Sequence, residues 1–177
     1  MPAARARRRW WFRALALAAT LGAAFIALRV AAHLSGGPLG IVPGGRLAGE
    51  LASEQNPDWR FTDTVQTIAV EVDPDDPMSV TTWVFTDHGA LYVAADFFNP
   101  FKRWPHRALA NPDVRLRIAG KIYERRAVRV TDPALIEQLR RAIGVKYDIA
   151  PDGIASRVEV WFFRMDPRDE AAAPDGR

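Results

Sequence analysis

The apolar and polar positions divide the chain into stretches with different periods. Residues 14–28, ALALAATLGAAFIAL, run for fifteen positions without a charge. A helix of that length is about 22 Å long, short of the roughly 30 Å hydrocarbon core of a bilayer. Adding Trp10, Trp11 and Phe12 before it and Val30 to Ala32 after it gives a span over residues 10–32, long enough to cross. Arg13 and Arg29 then lie near the two interfaces, where their apolar stems let the charges reach water. The paired tryptophans suit the headgroup layer. Beyond Trp59 the period becomes two. In VQTIAVEV, residues 65–72, Ile68, Val70 and Val72 share a face; in SVTTWVF, residues 79–85, Val80, Thr82 and Val84 alternate with Thr81, Trp83 and Phe85. Asp87-His88-Gly89 then turns the chain into ALYVAA, a hairpin signature. VRLRIA at 114–119 sets Arg115 and Arg117 on a polar face, Gly120-Lys121 turns the chain into IYERRAVRV, and RVEVWFF at 157–163 supplies a last strand.

Two helices interrupt the strands. Asp132 is an N-cap with Pro133 at the first helical position, followed by a stripe of Leu135, Ile136, Leu139, Ala142 and Ile143, with Gly144 as the stop. A shorter helix over Pro105 to Ala110 ends at Asn111-Pro112. The pattern predicts a mainly β fold: six or so antiparallel strands with two helices in the connections, closing into a small barrel and preceded by a transmembrane helix. The predicted organisation is a basic tail over 1–9, a signal-anchor helix over 10–32, a Gly- and Pro-rich linker over 33–60, the barrel domain over 61–166 and a solvated tail over 167–177.

Charge sharpens this division. Residues 1–33 hold six arginines and no acid, so the 24 basic residues less these six leave 18 against 21 acidic ones in the rest. The barrel therefore lacks the basic excess of a nucleic-acid binder. Arginines ahead of the apolar helix predict a single-pass protein of the cell membrane with a cytoplasmic N-terminus and the barrel outward. RARRR, the apolar run and Val30-Ala31-Ala32 also match the three parts of a cleaved signal peptide, and both readings stand. The chain has no cysteine, which excludes disulfides, Cys-ligated metals and cysteine nucleophiles.

Standard catalytic templates are missing: G-x-S-x-G, HExxH and G-x-G-x-x-G after a strand do not occur. The acids of DPDDP, residues 73–77, read as a solvated turn between strands, so no metal site is assigned. One stretch is unusual. DFFNPFKRWPHRALANPDV, residues 96–114, sets Lys102, Arg103, His106 and Arg107 among Phe97, Phe98, Phe101 and Trp104, and runs into a helix start. Cations and free backbone N–H groups seat an anion, and aromatics offer a surface for a flat ring. A phosphorylated planar cofactor fits that description. The alternative is a loop whose aromatics plug the barrel end while its cations are solvated.

The order of elements resembles the FMN-binding split barrel, the superfamily of pyridoxamine-phosphate oxidase-like proteins and deazaflavin-dependent nitroreductases. Residues 104–130, WPHRALANPDVRLRIAGKIYERRAVRV, are similar to the nitroreductase pattern W-x-H-x-L-x-A-N-P followed by V-x-V-x-V-G-G. Trp104, His106, Ala110, Asn111 and Pro112 fall in place; Leu109 lies one position from the expected Leu, where Ala108 stands. VWFFRMDPR, residues 160–168, resembles the last barrel strand, and the likeness covers residues 62–166. It implies a split barrel binding FMN or deazaflavin. Lys102, Arg103 and Arg107 would grip the phosphate, Trp104 and His106 would border the ring or order the loop, and Thr81, Thr82 and Trp83 would face the cofactor. It also implies a homodimer. The nitroreductases carry a G-R-K-S-G turn before this strand, whereas DPDDPMS stands here. No residue is assigned as catalytic, because the ring carries the redox chemistry. The expected function is a membrane-anchored oxidoreductase of nitroreductase or quinone-reductase type acting on a small redox acceptor. The competing expectation is a non-catalytic tethered barrel that binds a ligand or another protein.

Overall fold

Period-two alternation gives each strand one apolar face, and the chain buries these faces by closing its sheet into a barrel. The structure, a computed structural model, describes residues 3–97, 102–150 and 158–168. After helix α1 (Ala3–Leu34) come a two-residue strand β1 (Glu50–Leu51) and a 3-10 turn (Trp59–Thr64). Then follow β2 (Thr67–Val72), β3 (Met78–Asp87), β4 (Ala90–Asp96), α2 (Trp104–Ala110), β5 (Asp113–Ile118), β6 (Lys121–Arg129), α3 (Pro133–Tyr147) and β7 (Val160–Pro167). The strands run in the order β6-β5-β2-β3-β4-β7, and β7 pairs back onto β6, closing a six-stranded antiparallel barrel; β1 adds to β6 in parallel. Hairpins link β2–β3, β3–β4 and β5–β6. The two longer connections carry α2 and α3.

Turn chemistry matches the hairpins. His88 and Gly89 both have positive φ, as do Ala119 and Gly120, the geometry of tight two-residue turns. The second turn therefore sits one residue earlier than Gly120-Lys121. Inward positions on each strand meet in the barrel core: Ile68, Val70 and Val72; Val84; Leu91, Val93 and Ala95; Val114, Leu116 and Ile118; Tyr123 and Ala127; Phe163 and Met165. Outward Phe85, Tyr92, Ala94 and Phe162 form a second core under Leu139 and Ile143 of α3. The Asp132 side chain accepts from Ala134 N at 3.0 Å, as an N-cap should. The helix continues past Gly144 to Tyr147, ending where Asp148 takes a left-handed conformation and returns its N–H to the Gly144 carbonyl.

Residues 35–49, expected as a spacer, lie along the barrel. Glu71, outward on β2 and only 1% exposed, accepts from Leu47 N at 2.6 Å and from Arg115 at 3.0 Å. Arg115 also donates to the Leu47 carbonyl, and Arg117 donates to the carbonyls of Gly36 and Ala48. These two arginines are on the outer face as expected, but a strap of chain covers them. α1 contains a 25-residue stretch, Trp10–Leu34, of the length and composition of a membrane span or a signal sequence. Phe98 to Phe101, the first residue of the expected last strand and the tail from residue 169 fall outside the described residues.

Candidate functional site

Strand β3 organises the site because alternation aims its residues in opposite directions. Thr82 points into the barrel and donates to the Ala94 carbonyl at 2.8 Å. Thr81 and Trp83 point out, two residues apart on one face. Trp83 stacks on Tyr147 of α3 with ring centroids 4.8 Å apart and planes 18° apart. The Tyr147 hydroxyl lies 2.7 Å from the carbonyls of Gln66 and Val84 and accepts from Val84 N, locking α3 to β3. Burial pushes this phenol up and holds Lys146, which donates to the carbonyls of Thr62 and Val84, below its ordinary value.

Two clefts open beside β3. The larger encloses about 500 Å³ between β3, β4, β7 and α3, with Trp83, Ala94, Ile143, Val160 and Phe162 as its apolar wall and Glu137, Arg140 and Arg141 at the rim. The smaller, about 330 Å³, is lined by Thr81, Met78 and Val80 of β3, by Lys102, Arg103 and Trp104, and by Gly40, Ile41 and Pro43 of the strap. Lys102 is bonded to Asp96 at 2.8 Å; Asp96 lines the larger cleft and Lys102 the smaller, so this ion pair is a wall between them.

The expected site residues therefore divide. Thr81, Lys102, Arg103 and Trp104 share the smaller cleft, with the indole of Trp104 buried against Phe163 at 5.5 Å and Arg103 exposed. Trp83 belongs to the larger cleft, and Thr82 to the barrel interior. His106 is exposed and joins a ring cluster, 4.9 Å from Trp161 and 6.1 Å from Phe97. Arg129 stacks over the far side of this group, 3.7 Å from the Trp161 ring centre. Arg107 turns to the β2–β3 turn, where it pairs with Asp76 and, at 3.4 Å, with Asp73. The acids that replace the basic turn of the nitroreductases thus hold one of the expected phosphate cations.

One residue departs from its polar neighbours in the sequence. Arg125 reads as part of a solvated face with Arg126 and Arg129, yet it lies inside the barrel, fully buried, between inward Tyr123 and Ala127. Its guanidinium stacks on Trp59 at 4.6 Å, and among the described residues none of its three nitrogens has a hydrogen-bond partner. Burial pulls its pKa down to about 10. The parity of Tyr123 and Ala127 was the available signal; the polar run Glu124-Arg125-Arg126 obscured it. Among the described residues no cluster of acids and histidines is placed to hold a metal ion.

No protein-family model matches the chain, and no curated protein matches it in sequence. Solved structures resemble it. HutZ, the heme storage protein from Vibrio cholerae, aligns with a TM-score of 0.50 at 14% identity, over 61% of this chain and 85% of its own. A NimC/NimA family protein from Clostridium acetobutylicum gives 0.41 at 14% identity, over 56% and 73%. An F420 reductase gives 0.43 at 16% identity, over 62% and 92%. At that identity the likeness to HutZ is one of fold.

Proposed function

We propose that this protein is a flavin- or deazaflavin-binding split barrel, an oxidoreductase of nitroreductase or quinone-reductase type. Helix α1 holds it in the cell membrane, with its N-terminus cytoplasmic and its barrel outward. One observation carries the reading: a cleft with two cations at the start of β3 adjoins, across the Asp96–Lys102 pair, a cleft with an apolar, ring-lined wall. A molecule with an anionic tail and a flat ring has that same polarity. Lys102 and Arg103 meet the phosphate, Thr81 offers a hydroxyl to it, and Trp83 with Phe162 lines the ring pocket. The bound ring supplies hydride or electron transfer to a small acceptor. The protein binds, orients and excludes water. Pairing into a homodimer would cover the open sides of both clefts.

The second reading, a tethered barrel that binds without catalysis, is favoured by the pairing of Arg107 with Asp73 and Asp76. Absorbance of the purified protein and titration with FMN, deazaflavin and haem separate the two. Uptake of FMN or deazaflavin supports the first; a colourless protein that takes up none leaves the second. In the first case, replacing Lys102 and Arg103 together by Ala weakens FMN binding about tenfold, roughly 1.4 kcal/mol, with the melting temperature unchanged. Unchanged affinity would put the phosphate elsewhere.

A further inference from the structure

The strap begins where α1 ends and folds back beside it. Arg29 donates to the Pro43 carbonyl at 2.9 Å, His33 packs against Gly45, and Ala32 between them is fully buried. Arg29 and His33 are four residues apart, on one side of the helix. Residues 43–45 therefore run alongside the last turns of α1 and not above them. Just before them, Leu39 and Val42 exchange backbone hydrogen bonds of 3.0 and 2.9 Å, closing a hairpin with Gly40 at φ +57°. Its tip residue Ile41 is 100% exposed, Leu39 is 40% exposed, and Leu34 at the end of the helix is 78% exposed.

Length fixes the level of this hairpin. The 25-residue stretch Trp10–Leu34 is about 37 Å long, against roughly 30 Å of hydrocarbon. With Trp10 and Trp11 in one headgroup layer, the last turn or so, from near Arg29 to Leu34, stands in the other. Pro43, bonded to Arg29, stands there too. Ile41 is covered by nothing among the described residues, and the interfacial layer is the apolar medium beside it. Arg29, and Arg103 lining the same cleft as Ile41, bring cationic donors to the same layer, where lipid headgroup phosphates accept them.

We infer that the 38–43 hairpin is a second membrane contact, with Leu39 and Ile41 among the lipid chains, so that the smaller cleft opens at the bilayer surface. The inference rests on α1 being an uncleaved anchor, as proposed above. The absence of cysteine makes the test direct. Single variants Ile41→Cys, Leu21→Cys and Val145→Cys of the full chain are labelled with an environment-sensitive fluorophore. Each is reconstituted in phosphatidylcholine–phosphatidylglycerol vesicles whose acyl chains are brominated. The probes at 21 and 41 are expected to lose most of their emission to the bromines, and the probe at 145, on the exposed end of α3, to keep it. Quenching at 21 with none at 41 overturns the hairpin contact and leaves the anchor standing. No quenching at either, or a mature N-terminus beyond Ala32 by mass, overturns both.

Discussion

Arg125 occupies a position that a neutral side chain of similar length would fill at lower free-energy cost. A buried guanidinium with no hydrogen-bonding partner among the described residues loses its hydration and regains only the face of Trp59. Arg125→Met should therefore raise stability near neutral pH by about 1–3 kcal/mol, read from urea unfolding. The pH dependence follows from the sign of the shift. The folded pKa, about 10, lies well below the ordinary guanidinium value, so the folded state sheds this proton first. Below pH 10 the whole burial cost is present. As pH rises above 10 towards the ordinary guanidinium range the cost is relieved, and the gap between wild type and variant narrows. A variant less stable than the wild type would mean that an anion neutralises the guanidinium in solution.

At the scale of elements, the strap depends on close backbone approach. A Cβ at Gly44 would collide with the backbone carbonyl of Gly37, and neither segment has a flexible side chain there to yield. Gly44 also pairs with Ser79 at the start of β3, through bonds of 2.9 and 3.0 Å. Gly44→Ala is expected to cost about 1–3 kcal/mol and to raise amide exchange over 36–47 before the barrel strands exchange. Equal exchange in both proteins would show that the strap is not held by this contact. The glycines of this segment were plain in the sequence, and so was its turn content. Their packing was not, because the same composition serves a free spacer and a tightly apposed loop. The end of α3 shows the same limit: Gly144 is a plausible stop, but the bonds of Lys146 and Tyr147 to β3 repay one further turn.

At the scale of the whole molecule, Asp96, at the end of β4, pairs with Lys102, ahead of α2, and this pair stands between the two clefts. This ion pair competes with any phosphate for Lys102. Asp96→Asn is expected to tighten FMN binding several-fold, about 1 kcal/mol, and to change stability by less than that. Titration of the variant beside the wild type measures it, and unchanged or weaker binding would mean that Lys102 does not meet the phosphate. The sequence placed Lys102, Arg103, Trp104 and Thr81 in one site, and they do share a cleft. It also placed Thr82 and Arg107 there. One faces into the barrel and the other is held by acids thirty-odd residues earlier.

The sequence by itself determined the local features. An uninterrupted apolar run makes α1, a two-residue period makes each strand, paired positive-φ positions make the hairpins, and Asp132-Pro133 starts α3. Each of these depends on residues within a turn or a strand of one another. Only the tertiary structure decided which polar residues are inside, what the strap covers and which cations are already paired. Those outcomes depend on contacts between residues far apart in the chain, such as Glu71 with Arg115, Arg107 with Asp73 and Arg125 with Trp59, and no local period encodes them.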